Sequence, residues 1–192
     1  MAIQINGDGT ITGISVGGLP DGIVDTDMLA AGAATQAKRT PATGEIIQVV
    51  TKNITNELEL TSLSSSYADM TNFSLAITPT SATSLLYFNL TVAGTKLYDT
   101  SGADHRAYFG LTDDGASSYL QQTEFRMYEY GGGYHLGLYL KKPMVISHIK
   151  TAGSTSARTY ALRWKLLQGE GLVVNETSTN EVSTMTITEI KA

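Results

Sequence analysis

The fold class of this chain follows from residues Ser64–Gly94, SSSYADMTNFSLAITPTSATSLLYFNLTVAG. Apolar side chains occupy every second position over 73–77 and again over 86–92, and Tyr67 can share the first of these two faces. Alternation with a period of two is typical of strands that bury one face. The Thr-Pro-Thr-Ser-Ala-Thr segment between them has the composition of a turn. We therefore predict two strands joined as a half-buried antiparallel hairpin.

Strands of the same kind continue through the chain after Gly44. We predict strands near Glu45–Ile54, Tyr67–Ile77, Leu85–Thr95, His105–Leu111, Tyr119–Tyr128, His135–His148, Thr159–Leu167, Leu172–Asn175 and Thr184–Ile190. Glycine, serine and aspartate clusters separate them, and many short strands with regular turns are typical of sandwiches and barrels. The prediction is an all-β fold, with an antiparallel, jelly-roll-like β-sandwich as a head domain over residues 44–192.

Two strand positions carry more specific predictions. Pro143 interrupts the predicted strand His135–His148, and proline lacks the backbone donor that a central strand needs, so an edge or a bulge is expected there. Trp164 alternates with Tyr160, Leu162 and Leu166, which predicts a tryptophan in the core.

Residues 1–43 form a glycine-rich arm without a single aromatic side chain. Such a segment buries too little apolar area to order by itself. Its many isoleucines are nevertheless out of place in a plain flexible linker. We expect the arm to order against another protomer or a docking surface, and we predict a role in attachment and trimerisation.

Charge and composition disfavour several partners. The formal net charge is −5 and no basic stripe is present, so we expect no nucleic-acid partner. Without cysteine there is no thiolate chemistry. No apolar run approaches the length of a membrane span, and no segment resembles a signal peptide, so we predict no membrane insertion and synthesis in a cytoplasm.

An enzymatic site is not predicted. Gly13–Gly17 matches the G-x-S-x-G pattern of a nucleophile elbow, but it lacks the strand, the following helix and the α/β alternation which that chemistry needs. The three histidines lack the spacing of a metal site. Glu124 and Arg126 lie two apart on one strand face, as expected for a solvated or interfacial pair. We predict no catalytic residue, no cofactor and no metal ligand.

One loop is a candidate for contact with a receptor. Tyr128, Tyr130 and Tyr134 flank the glycines at 131–133. Tyrosine rings can stack on sugar rings, and glycines let a ligand approach the backbone closely. A hairpin tip whose tyrosines pack on its own base is an equally good interpretation of the same residues.

The sequence resembles tail-fibre and related virion proteins of marine tailed phages, including those of cyanophages. The run INGDGTITGISVGGLPDGIVDTDMLAAGAAT is similar to their N-terminal arm. The segments GEIIQVVTKN, SLAITPTSATS, TSARTYALRWKLL and TMTITEI follow the order of their C-terminal head domain. The resemblance covers nearly the whole chain. It implies a non-enzymatic, homotrimeric virion protein whose head projects outward to bind a host polysaccharide or surface protein, and whose arm attaches to other virion proteins.

The chain departs from a long fibre because no shaft of repeats lies between arm and head. Two roles are therefore compatible with the resemblance. The first is a short tail-fibre-like protein whose head is displayed for host-surface binding. The second is a capsid decoration (cement) protein whose arm lies on the major capsid protein and stabilises the shell. A glycan-depolymerising spike is disfavoured because the strands show no solenoid period.

Overall fold

The computed structural model describes residues 4–5, 11–12, 40–99, 104–113, 118–128 and 138–192. Residue contacts divide the chain into two compact units, Met1–Pro41 and Ala42–Ala192. In the first unit, the described residues form two short antiparallel strands, β1 (Gln4–Ile5) and β2 (Ile11–Thr12). The attachment and trimerisation roles of the arm remain predictions. The Gly13–Gly17 pattern lies outside the described residues.

Most of the described residues of the second unit lie in strands. Their bounds are β3 (Ile46–Ile54), β4 (Leu58–Leu60), β5 (Ala68–Ile77), β6 (Leu85–Asp99), β7 (Asp104–Asp113), β8 (Tyr119–Tyr128), β9 (Leu138–Thr151), β10 (Arg158–Gln168), β11 (Gly171–Val174) and β12 (Ser183–Ile190). A single 3-10 turn at Thr177–Thr179 is the other regular element of this described part. Every predicted strand has a counterpart, and the short β4 was not predicted.

The strands form two antiparallel sheets. One sheet has the order β5-β10-β7-β8, and the other has the order β3-β12-β6, with β9 on the second edge of β6 and the short pair β4-β11 beside the far end of β6. Among the eight long strands in chain order, the first pairs with the eighth, the second with the seventh, the third with the sixth and the fourth with the fifth. This nested pairing is the double Greek key of a jelly roll. The predicted jelly-roll-like sandwich is confirmed.

The predicted hairpin at the centre of the sequence is wrong. β5 pairs with β10, whereas β6 pairs with β12 and β9, so the two strands lie in different sheets. The turn between them carries the chain from one sheet to the other. Alternation specified correctly that each strand has a buried face, but it carries no information about which strand is the hydrogen-bonding partner.

A buried carboxylate holds this crossing turn. Glu189 of β12 is fully buried and accepts hydrogen bonds from the Thr80 backbone N (2.9 Å), the Thr80 Oγ1 (2.9 Å) and the Gln48 Nε2 (2.6 Å). Burial alone would raise the pKa of Glu189, but the hydrogen bonds, led by that from Gln48, outweigh it and hold its pKa below the ordinary value. An ionised acceptor on β12 therefore links the turn to the edge strand β3.

The core lies between the inner faces of the two sheets. The alternating residues predicted to be buried on β6 are all buried, and so is Trp164 on β10. The rings of Phe88 and Tyr160 meet edge to face across the core, with centroids 4.7 Å apart. These predictions of the core are confirmed.

Two irregularities alter the strand faces. In β5, Asn72 has a φ of 68°, and the register against β10 shifts between Ala161 and Arg163. Because the bulge adds a residue to the strand, the residues before it point to the opposite face from the one that simple alternation assigns to them. Tyr67 therefore contacts side chains of the outer face, and the prediction that it shares a face with Phe73 is wrong. In β9, Pro143 lies at a second register shift, and among the described strands β9 pairs only with β6, so the prediction for Pro143 is confirmed.

Candidate functional site

The predicted receptor loop lies largely outside the described residues. Tyr128 ends β8, where its backbone pairs with Asp104 of β7. The side chain of Tyr128 and the whole of Tyr130 and Tyr134 are outside the described part of the chain. The role of these tyrosines in receptor contact remains a prediction.

A second group of tyrosines lies on the outer face of the four-stranded sheet. The β-sheet register places Lys165 of β10 beside Tyr108 of β7, and Tyr108 beside Glu124 of β8. In the next row, Arg163 lies between Asp69 and Gly110. Neighbouring strands are only about 4.8 Å apart, so side chains from four strands meet on this surface. We call it the tyrosine face and define it by Tyr67, Tyr108, Tyr119, Arg163 and Lys165.

The rings of the tyrosine face are arranged around one ammonium group. The ring centroids of Tyr67 and Tyr119 are 4.4 Å apart at an interplanar angle of 38°. Lys165 Nζ lies 4.7 Å from the ring centroid of Tyr67 and 4.9 Å from that of Tyr108, within cation–π range of both. The ammonium also donates to the Ser65 carbonyl oxygen at 3.4 Å. All three rings are partly exposed, so they remain available to a ligand.

A glycine makes room for one of these rings. A Cβ added to Gly110 would lie 2.4 Å from Cδ1 of Tyr119, because that ring covers the β7 backbone. Glycine in the interior of a strand often marks such a close approach. Gly110 is therefore part of the construction of the tyrosine face, although it has no side chain to present.

Hydrogen bonds fix the hydroxyl groups of the face. Tyr67 donates to Gln122 Oε1 at 3.0 Å, and Tyr108 donates to Glu124 Oε1 at 2.8 Å. Burial, and then the neighbouring Tyr119 and Tyr108, raise the pKa of Tyr67 to about 12. The hydrogen bond to Glu124 raises the pKa of Tyr108. Both phenols therefore stay protonated at neutral pH and can serve as hydrogen-bonding groups.

The two cations of the face differ in their partners. Arg163 Nε donates to Asp69 Oδ1 at 2.5 Å, and this carboxylate, followed by Tyr119, raises the pKa of the guanidinium. Lys165 makes no ion pair with any described carboxylate. Arg106 and Arg126 pair across β7 and β8 on the same outer side. Among the described side chains, this surface thus holds four cationic residues and the carboxylates of Asp69 and Glu124, on a chain whose net charge is −5.

A groove adjoins the tyrosine face at the β5 bulge. It has a volume of about 340 Å³, and its lining includes Asp69, Arg163, Ser74 and Thr159. Arg163 belongs to both the groove and the tyrosine face, and Asp69, which pairs with Arg163, also lines the groove. The combination offers ring faces, hydroxyl groups, a paired charge and an ammonium that pairs with no described carboxylate. This open surface suits recognition of an extended polar chain rather than enclosure of a small molecule.

Where β3, β12, β6 and β9 lie side by side, the outer face of the other sheet has a different chemistry. We call it the threonine face. Its outward positions, in register rows across β3, β12, β6 and β9, are Ile46, Ile190, Leu85 and Thr151; Val49, Thr188, Tyr87 and Ile149; Thr51, Thr186, Asn89 and Ser147; and Asn53, Thr184, Thr91 and Val145. None of these side chains is charged. Val49, Val145 and Ile149 are each 54% exposed.

Groups that could hold a metal ion and helices that could span a membrane are both absent from the described part of the chain. No group of three or more His, Asp or Glu side chains there is arranged to hold a metal ion. No helix in that part is long and apolar enough to span a membrane. Glu124 and Arg126 are both exposed, as expected for a solvated pair, and Glu124 accepts a hydrogen bond from Tyr108.

The sequence interpretation missed the tyrosine face because its members come from separate strands. One signal was present: Tyr108 and Lys165 each alternate with a core residue, Phe109 and Trp164 respectively, which places them on an outer face. Only the pairing of β10 with β7 brings the two side chains together.

No protein-family model and no curated protein matches this sequence. Among solved structures, the chain is similar to the EclA C-terminal domain, described as a sugar-binding protein, with a TM-score of 0.36 and 10% identity over 68% of this chain and 78% of that one. It is also similar to VP2 of the infectious bursal disease virus subviral particle, with a TM-score of 0.33 and 12% identity over 80% of this chain and 39% of that one. Both similarities are weak, and neither bears on the function of this chain.

Proposed function

We propose that this chain is a non-enzymatic structural protein of a tailed-phage virion, a short tail-fibre-like protein whose jelly-roll head is displayed for binding to the host surface. The sequence resemblance supports the virion context. The tyrosine face carries the binding role, because rings and polar groups are gathered on one exposed surface of a rigid sheet. In this proposal the arm of residues 1–43 attaches the head to other virion proteins.

The proposed assembly is a homotrimer in which the threonine face meets a second copy of the chain. Two copies of a chain with net charge −5 repel each other, and an uncharged face lets them meet without bringing like charges together. Exposed Val49, Val145 and Ile149 supply apolar area for such an interface. The tyrosine face lies on the opposite sheet and stays open to solvent in this arrangement.

The threonine face also supports a second candidate function, that of a capsid decoration protein. An uncharged sheet surface can pack on a capsid shell as well as on another copy of the chain. The arm would then lie on the major capsid protein, as in the alternative that the sequence resemblance leaves open.

Imaging of purified virions that carry a label at Ala192 separates the two roles. Label confined to the tail is the result expected for the fibre-like protein. Label distributed over the capsid would replace that role with decoration. Label absent from purified particles would remove the virion assignment altogether.

Binding of the purified full chain to host cells tests the displayed head. We expect saturable binding that is lost in Tyr108→Ala. Tyr130→Ala tests the separate loop predicted from the sequence. If Tyr130→Ala abolishes binding and Tyr108→Ala leaves it unchanged, the receptor site belongs to that loop rather than to the tyrosine face.

A further inference from the structure

We infer that the ligand of the tyrosine face is an acidic polysaccharide, a chain of sugars that carries carboxylate or sulfate groups. The inference rests on the proposed host-binding function and specifies the ligand class of that site. Three features carry it: the state of Lys165, the charge of the surface around it, and the shape of the adjoining groove.

Lys165 is a cation held in place without a counter-ion among the described residues. Its ammonium lies between the rings of Tyr67 and Tyr108 and donates to a backbone carbonyl, but no described carboxylate pairs with it. Other lysines differ: Lys96 and Lys141 both pair with Glu176. A positioned, partly desolvated ammonium gains most from an anionic ligand, since charge-assisted hydrogen bonds are the strongest polar contacts available there.

The surroundings of Lys165 select for a sparsely charged anion. The chain as a whole is negative, so an acidic polymer is repelled elsewhere and drawn to the tyrosine face. The charge of Asp69 is offset by its ion pair with Arg163, whereas Glu124 accepts from the neutral Tyr108 hydroxyl and keeps its charge, so it reduces the attraction without pairing with Lys165. The local excess of positive charge is small, which fits a polymer with one charge every sugar or two.

The rings and the groove fit sugars. Partly exposed tyrosine rings present flat apolar faces for the C–H side of a pyranose, and Gln122 with the phenolic hydroxyls can meet sugar hydroxyls. The groove at the β5 bulge continues the surface past Asp69 and Arg163. Single-stranded nucleic acid also stacks on aromatic rings, but it requires a basic groove that follows a phosphate at every nucleotide. The cations here are too few for that.

The experiment measures binding of the full chain to four polymers by isothermal titration calorimetry. The probes are hyaluronate, which carries carboxylates; κ-carrageenan, which carries sulfates at a similar spacing; neutral dextran; and poly(dT). We expect binding to at least one of the two acidic polysaccharides, no binding to neutral dextran, and an affinity that falls about tenfold between low and moderate salt because exposed charges are screened. The two acidic probes distinguish carboxylate from sulfate recognition.

Variants of one side chain separate a specific site from general charge. Lys165→Gln should weaken binding of the acidic polymer about tenfold, and Lys165→Arg should restore most of it. Lys142→Gln is the matched control, because Lys142 is an exposed lysine of β9 over the Phe125 ring and outside the tyrosine face. All variants should unfold at the wild-type midpoint.

Each contrary result has a definite meaning. Equal binding of neutral dextran, or no effect of Lys165→Gln, overturns the acidic class. Tighter binding of poly(dT) than of either polysaccharide overturns it in favour of nucleic acid. Host-cell binding without binding to any polysaccharide also overturns the ligand class, while the proposed host-binding function stands. If the wild-type chain does not bind host cells at all, the proposed function itself is overturned.

Discussion

The two outer faces of this jelly roll differ far more than its two inner faces. The tyrosine face carries rings, paired charges and an ammonium that pairs with no described carboxylate, whereas the threonine face has no charged side chain in any of its four register rows. Both inner faces are mainly apolar, with His105, Ser183 and Glu189 as buried polar exceptions, and they build one core. The fold therefore requires only the inner faces, and functional information is concentrated in what distinguishes the outer ones.

The contrast also separates two kinds of contact. A sheet face that is exposed to solvent usually carries charged side chains of both signs, which favour solubility. The threonine face lacks them and exposes β-branched residues, which favours contact with another protein surface. The tyrosine face keeps its charges and places rings among them, which favours a polar ligand. Substitutions that act on one face, on both or on neither can test this division.

The largest effect should come from Glu189, which holds the turn that joins the two sheets. Glu189→Ala leaves the Thr80 donors and Gln48 without their buried acceptor, so we expect the free energy of unfolding to fall by about 3 kcal/mol. Chemical denaturation of the full chain measures it. Glu59→Ala removes an exposed carboxylate that accepts from Tyr98 and should cost less than about 1 kcal/mol. Equal losses in the two variants would contradict a special role for the crossing turn.

A charge placed at the centre of the threonine face should act on assembly alone. Thr186→Lys would bury an ammonium in the proposed interface, and we expect self-association to weaken about 100-fold, or about 2.7 kcal/mol. Light scattering across a concentration series measures the mass of the assembly. Thr61→Lys is the control on an exposed loop residue outside both faces. Loss of polysaccharide binding in Thr186→Lys would show that the two faces are not independent.

How much the sequence predicts differs between core and surface. The alternating residues of β6 and the core place of Trp164 followed directly from periodicity, because burial of one strand face leaves that pattern. Tyr67 was misplaced because the bulge at Asn72 reverses strand parity, and no local pattern marked it. The hairpin was wrong because pairing is decided by the packing of the whole sandwich. The tyrosine face depends on the pairing of β10 with β7, so it could not be predicted without the order of strands in the sheet.

A methyl group at Gly110 should disrupt the tyrosine face without touching the threonine face. The new Cβ would displace the Tyr119 ring, and with it the contact to Tyr67, so we expect about tenfold weaker polymer binding in Gly110→Ala. Tyr119→Ala should have a similar effect, and the double variant should be no worse than either, because both changes remove the same contact. Additive losses would mean that Gly110 acts through something other than Tyr119.

The smallest effect concerns the titration of one phenol. Burial and the neighbouring rings raise the pKa of Tyr67 to about 12, whereas in the unfolded chain it returns to its ordinary value near 10. The protonated form is therefore favoured by folding, and this contribution is complete below pH 10 and is lost as pH rises through about 12. Ultraviolet titration of the folded chain should show late-ionising tyrosines, because the pKa of Tyr108 is raised as well, and the amplitude of this late component should fall in Tyr67→Phe but not in Tyr87→Phe, a control on the threonine face. A late component of unchanged amplitude in Tyr67→Phe would mean that the neighbouring rings do not shield Tyr67 in the folded chain.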